Sequence, residues 1–309
     1  MKKFSPDTKT ISLAGVFVAF LLATALKIIC LTRALGPNTN AFYSNFFAVS
    51  VQLVAFLAPT IACAVLIGQK EKRHPLAVFN LRLSPLFALL ATGFGVCLFV
   101  FNFSANIAWD NVLGLIGWRD FPTATTLSQD LGPVLLSVLT TAVLPALCEE
   151  GVMRGALSTG INHLQKRTQL VLAGLLFALM HQNFGSFGPT FLGGMWLYWL
   201  YLATGSLTAP VIAHFVSNLG VVLCETFGVV NALHALIATP LGAGVAIAAT
   251  FLAGAGMVGI ARLGEKRLSL PAVAPICNQN KPLAVALFVG TIIVGVGATA
   301  ISFAMGVLA

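Results

Sequence analysis

Apolar runs of helix length, separated by short polar connections, account for most of the chain. In order, they predict spans over Ile11–Leu31, Tyr43–Gly68, Leu83–Phe103, Leu131–Leu157, Gln169–His181, Thr190–Ala203, Leu207–Phe227, Ala232–Ala261 and Leu283–Leu308. A helix needs about 20 apolar residues to cross a bilayer, and a spanning segment must satisfy its own backbone hydrogen bonds. The pattern therefore predicts an all-α, polytopic transmembrane helix bundle of eight or nine spans, with residues 1–309 forming a single integral membrane domain. The first run follows Lys2, Lys3 and Lys9 and has Ala23-Thr24-Ala25 where a signal peptide would be cut. It continues through Ile28-Ile29-Cys30-Leu31 into further membrane sequence, so an uncleaved span is expected. Lys27, near its outer end, is expected to snorkel. Ser104 to Asp130 carries Asp110, Asp120, Asp130, Trp109 and Trp118, and reads as an extramembrane loop with an interfacial element.

Composition narrows the picture. With 58% apolar and 8% charged residues, the chain is far from a soluble globular protein, where about a quarter of the residues are charged. The formal charge of +8 does not point to nucleic acid, because no basic run is interleaved with aromatics. Placing the N-terminus in the cytoplasm and letting every span cross once puts 13 basic residues in cytoplasmic segments and 2, Arg33 and Arg119, outside. That asymmetry predicts a multi-pass protein of the cell membrane with its N-terminus cytoplasmic and its C-terminus outside. The six cysteines are scattered singly with no C-x-x-C pair, which indicates neither a zinc site nor a disulfide framework.

Against this background one stretch stands out. Pro145-Ala146-Leu147-Cys148-Glu149-Glu150-Gly151-Val152-Met153-Arg154-Gly155 sets two of the nine acidic residues side by side, at the end of a span with no other charge. Three charges at a helix centre cost on the order of 8–10 kcal/mol on an insertion scale, against about 5 kcal/mol returned by that span's Leu and Val residues. These groups must face protein partners or a polar cavity. Glu150 and Arg154, four apart, share a helix face and can pair. Glu149 is rotated by about 100° and points elsewhere. Pro145 removes a backbone hydrogen bond and can kink the helix, while Gly151 and Gly155 allow neighbours to approach closely. Two further spans carry histidine: His181 ends one, and His214 lies four residues before Asn218 in another, after Pro210. His74 and His163 sit in basic loops and are expected to be solvated; His234 and Glu225 flank the outer end of the seventh span and are assigned no role.

The motifs Glu149-Glu150-x-x-x-Arg154, Phe177-x-x-x-His181 and His214-x-x-x-Asn218, the last preceded by Thr204-Gly205-Ser206-Leu207 and Ala209-Pro210, occur in that order. In this the chain resembles the CPBP family, the Rce1-like intramembrane glutamic proteases that include type II CAAX prenyl proteases and bacteriocin-processing relatives. The resemblance covers about Leu131 to Leu223, the expected catalytic core; Met153 stands where many members carry an aromatic. It implies a membrane-embedded endopeptidase that uses a glutamate-activated water and needs no cofactor or metal. Glu149 would be the general base and His181 would help hold the water. His214 and Asn218 would donate to the oxyanion, and Glu150 and Arg154 would orient the site, with Phe177 packed beside His181. The partners implied are the lipid bilayer and a peptide or protein substrate, with or without a lipid anchor, and no nucleic acid. The basic loops suggest entry from the cytoplasmic side or laterally.

Other readings of the same residues stay open at this level. Two Glu and two His could hold zinc, although no H-E-x-x-H is present. Buried carboxylates also serve transporters, which are expected to show inverted repeats; none is evident. A non-catalytic membrane regulator or immunity protein could keep the motif for structure.

Overall fold

The computed structural model describes residues 7–34, 41–75, 78–118, 130–229, 232, 240–267 and 281–308. Among them there is no strand, and nine main helices make up the molecule: α1 Thr8–Ala34, α2 Ala41–Glu71, α3 Pro85–Leu115, α4 Leu131–Ile161, α5 Lys166–His181, α6 Phe187–Thr204, α7 Thr208–Thr226, α8 Pro240–Arg267 and α9 Lys281–Leu308. Six of them, α1 to α4, α7 and α9, contain segments long and apolar enough to cross a membrane. Their outward faces carry exposed Ile61, Leu89, Leu135 and Ile293, the surface a helical bundle presents to lipid.

Local signals explain the boundaries. Ser84 accepts a hydrogen bond from the Phe87 N–H (3.3 Å) and Pro85 occupies the first turn, so α3 starts with an N-cap and a proline whose missing N–H costs nothing there. α3 then runs for 31 residues, so Ser104 to Leu115 is helix and not the predicted loop. The apolar run weakens there because Asn102 and Asn106 turn toward a cavity inside the protein, which lowers hydropathy without breaking the helix. Trp118 is buried, with its indole N–H donating to the Phe303 carbonyl (3.2 Å), so it packs on α9 instead of anchoring in a membrane interface. Asp120 lies outside the described residues, as does His234.

Successive helices alternate in direction. Gly95 packs on Ala213 and Gly220 on Phe99, which makes α3 and α7 parallel; Gly193 against Asn102 and Gly188 against Trp109 make α6 antiparallel to them. One end of the bundle collects the α2–α3, α4–α5 and α6–α7 connections. Asn80 Nδ2 donates to the Gly205 carbonyl, and Thr208 Oγ1 to that of Leu81, each at 2.8 Å. The expected basic loops, with Lys70, Lys72, Arg73, Arg82, Lys166 and Arg167, all lie at this end.

Two long helices leave α geometry near the acidic stretch. In α2, residues Val51–Leu57 form a π-helical segment, closed by the Ala58 N–H bonding to the Leu53 carbonyl five residues back. In α4, π-helical Val138–Val143 and Gly151–Leu157 flank Leu144–Glu150. π-Helical turns are rare and concentrate where a helix must re-aim its side chains.

Candidate active site

Glu149 and Glu150 sit at the last two positions of the α-helical segment between the two π-helical turns of α4. Glu149 is eighteen residues from Leu131 and twelve from Ile161, deep within the membrane thickness. The two carboxylates diverge. Glu150 Oε1 accepts from Arg154 NH1 (2.9 Å) and His214 Nδ1 (2.9 Å), and both Glu150 and Arg154 are fully buried. Arg154 NH2 donates to the Gly194 carbonyl (2.7 Å), and its guanidinium lies 4.8 Å from the centre of the Phe177 ring. Gly194 is required at this crossing, because a Cβ there would stand 2.8 Å from that of Phe177 and 3.1 Å from the Gly174 backbone.

Glu149 points the other way. Its Oε1 accepts from Gln52 Nε2 (2.9 Å), a residue of the π-helical segment of α2. Its Oε2 lies 3.7 Å from His181 Nε2 and accepts no hydrogen bond among the described residues. His181 Nδ1 is 2.8 Å from the Phe177 carbonyl; a carbonyl only accepts, so Nδ1 carries the proton and a neutral His181 turns a bare Nε2 toward Glu149. Two acceptors at 3.7 Å are too far apart for a direct bond and well placed to receive the two hydrogens of one water.

These groups close one end of a cavity of about 360 Å³ that is also lined by Asn102, Asn106, Thr140, Thr190, Ser217 and Asn218. The Phe177 ring stands edge-on to both histidines, with centroids at 4.8 Å from His181 and 5.8 Å from His214. Thus all seven residues expected from sequence meet here. Glu149, Phe177, His181, His214 and Asn218 line the cavity, and Glu150 with Arg154 lies directly beneath. Among the described residues no group of three His, Cys, Asp or Glu is arranged to hold a metal ion.

Two expected donors are partly committed. His214 gives its Nδ1 proton to Glu150, so its Nε2 donates only in the imidazolium form. Asn218 Nδ2 donates to the Thr141 carbonyl (2.9 Å). Thr141 lies four residues before Pro145, whose missing N–H a regular helix would have used for that carbonyl. The second amide hydrogen of Asn218 remains for the cavity.

The turn after His181 is the other constructed feature. α5 has 16 residues, about 24 Å of helix, less than a hydrocarbon core of about 30 Å. Irregular backbone at such a depth must be satisfied by protein. Lys27 Nζ of α1 donates to the Gln182 carbonyl, and Gln182 Nε2 to Thr24 (2.7 Å). The Phe184 N–H donates to Ser302 Oγ (3.1 Å), and Trp109 Nε1 donates to the Phe184 carbonyl (3.1 Å). Lys27 therefore caps α5 beside His181 and does not snorkel to an interface. Gln52, Asn102, Asn106 and Lys27 are the site residues that sequence reading missed. The signal available was a few uncharged polar side chains and one lysine within otherwise apolar runs. His163 lies outside the cavity, exposed on the α4–α5 connection as expected, where partial desolvation, and after it Lys9, lowers its affinity for a proton.

The cavity is lined from Leu98 to Asn106 of α3, from His214 to Val221 of α7, by the C-terminal end of α5, by Thr140 to Glu149 of α4 and by Pro189 to Leu197 of α6. All of these lie on the side of Glu150 and Arg154 away from the basic connections.

Comparison with known proteins adds one match: residues 131–220 fit the family model described as type II CAAX prenyl endopeptidase Rce1-like. No curated protein and no solved structure matches the chain. The matched segment carries the carboxylate pair, both histidines and Asn218, whereas Lys27, Gln52, Asn102 and Asn106 come from the helices before it. Over residues 131–220 the chain is similar to the type II CAAX prenyl endopeptidase Rce1-like family.

Proposed function

We propose that the protein is a glutamic-type intramembrane endopeptidase in which Glu149 activates a water held between its Oε2 and His181 Nε2. The observation that carries this reading is that pair of acceptors, 3.7 Å apart, at the closed end of a cavity. With both water hydrogens directed at Glu149 and His181, a lone pair of the water faces the cavity and the scissile carbonyl carbon. Glu149 takes one proton as the water oxygen bonds to that carbon, and the carbonyl oxygen becomes the oxyanion. Asn218, through its free amide hydrogen, and His214, when its Nε2 is protonated, donate to that oxyanion. Fixed donors of this kind are usually the largest contribution to catalysis, about 10²–10³ in rate for each. Collapse of the tetrahedral intermediate breaks the C–N bond as Glu149 returns its proton to the departing amine, leaving a carboxylic acid and an amine; the acid's proton then passes to the amine, giving a carboxylate and an ammonium. Gln52 fixes the carboxylate and the Phe177 carbonyl fixes the imidazole, so the water meets groups already in place.

The test is a proteomic comparison of cells carrying the wild type and Glu149→Ala. Membrane-associated peptides that are shortened only by the wild type are expected. An unchanged peptide inventory, with the variant present at wild-type levels, overturns the reading.

A further inference from the structure

Three asparagines line the cavity, and one of them differs from the others. Asn106 Nδ2 donates to the main-chain carbonyl of Asn102 (2.8 Å), one turn back on α3. Asn218 Nδ2 donates to the Thr141 carbonyl (2.9 Å). Asn102 Oδ1, by contrast, is buried without a hydrogen-bond partner among the described residues. The amide is nevertheless closely housed. A Cβ on Gly193 of α6 would stand 3.0 Å from Asn102 Oδ1 and 3.2 Å from Nδ2, so the amide lies on bare backbone, in space that any side chain at 193 would fill. Gly193 lines the same cavity as Asn102, Glu149 and His181. An amide oxygen held dry and unpaired lowers stability, and no bond among the described residues offsets this.

We infer that Asn102 is a substrate-binding residue, whose side-chain amide pairs with the N–H and C=O of one residue of an extended peptide strand in the cavity. The inference rests on the peptidase reading above. The two partners match chemically. A primary amide offers a carbonyl acceptor and an N–H donor side by side. A residue in an extended strand turns its own N–H and C=O to the same side, as in the bonded pairs of an antiparallel ladder. In a helix both groups are already used within the helix, so the pairing selects an unwound stretch of chain. It makes no demand on the side chain of the paired residue, but it requires a hydrogen on that residue's nitrogen, which excludes proline.

The test uses the purified full-length protein in one detergent and a peptide whose cleavage depends on Glu149. Asn102→Leu removes the amide and keeps the size of the side chain. Because an unpaired polar atom is lost, the unfolding temperature is expected to rise, by about 2–4 °C. KM is expected to rise about tenfold at little-changed kcat, the pattern of a bond made equally in the ground and transition states. The same peptide, N-methylated at one main-chain nitrogen at a time, isolates the bond. At one position methylation is expected to cost the wild type about tenfold more in kcat/KM than it costs Asn102→Leu, the coupling of a double-mutant cycle between protein and substrate. A lower unfolding temperature for Asn102→Leu, or an unchanged KM, overturns the inference and leaves the peptidase reading intact. An N-methylation profile that is the same for the two proteins does likewise. Absence of any Glu149-dependent cleavage by the wild type removes the peptidase reading, and the substrate-binding role of Asn102 falls with it.

Discussion

Asn218 serves two purposes that a pair of substitutions can separate. Pro145 has no N–H to give the Thr141 carbonyl four residues before it, and Asn218 Nδ2 from α7 supplies a donor at 2.9 Å. Asn218→Ala removes that bond, at a net cost of about 0.5–1.5 kcal/mol, rising to about 1–3 kcal/mol where the carbonyl stays dry. It also takes a donor from the oxyanion, for which a rate loss of about 10²–10³ is expected. Pro145→Ala restores an N–H at position 145 that can close the regular helical bond to Thr141. In that background Asn218→Ala is expected to cost little stability, giving a coupling of about 1 kcal/mol in a double-mutant cycle, while the rate defect persists. The assays are thermal unfolding of the four purified proteins in one detergent, and turnover of a peptide whose cleavage depends on Glu149. An equal stability loss in both backgrounds would refute the link between Pro145 and Asn218. Full recovery of turnover in the double variant would refute the oxyanion role and leave Asn218 as a splint for α4.

Two other substitutions probe the same framework. Arg154→Leu leaves Glu150 buried without its guanidinium, and removal of one partner from such a pair costs about 3–5 kcal/mol; unfolding in detergent should show that loss, and a near-neutral result would mean that the pair is not sealed as described. Lys27→Met removes the cation that caps α5 beside His181, so turnover is expected to fall at unchanged KM and to recover with Lys27→Arg, whereas equal activity of Lys27→Met and wild type would exclude Lys27 as a positioning residue for His181.

Much of the architecture was legible because a bilayer leaves few choices. Nine apolar runs became nine helices, and the basic residues of the connections gathered at one end. Within the site, four-residue spacing foretold the Glu150–Arg154 pair, and the 100° turn between neighbours foretold that Glu149 would face elsewhere; that it would meet His181 was implied by the family resemblance. The misses share a physical cause. Gln52 and Lys27 act on residues 97 and 155 positions away, and a lone polar residue in an apolar run does not announce its partner. The end of α3 was misread because hydropathy records the composition of a segment, whereas Asn102 and Asn106 are polar only on the face turned to the cavity. The π-helical segments were also hidden, since Pro145 marks a lost hydrogen bond without saying whether the helix kinks or widens. The direction of the cavity was invisible for a related reason: sequence places Glu149 along α4 but does not say which half of the bundle is filled on either side of it.

The deployment of two carboxylates and one arginine suits the proposed catalytic water. A guanidinium paired directly with Glu149 would occupy the oxygens that the water must reach, because its planar fork binds both oxygens of a carboxylate. The site avoids this by giving Arg154 its own partner, Glu150, one residue further along α4. The Phe177 ring, which touches the guanidinium on one side and His181 and His214 on others, stands between that pair and the cavity. Glu149 is held by the neutral amide of Gln52 through Oε1 alone, which leaves Oε2 for the water. Glu150 also fixes the proton of His214 on Nδ1. The charged pair thus balances itself, orients the second histidine and closes the basic side of the cavity. Under the proposed mechanism both glutamates have a part: Glu149 lines the cavity, and Glu150 balances Arg154 beneath it.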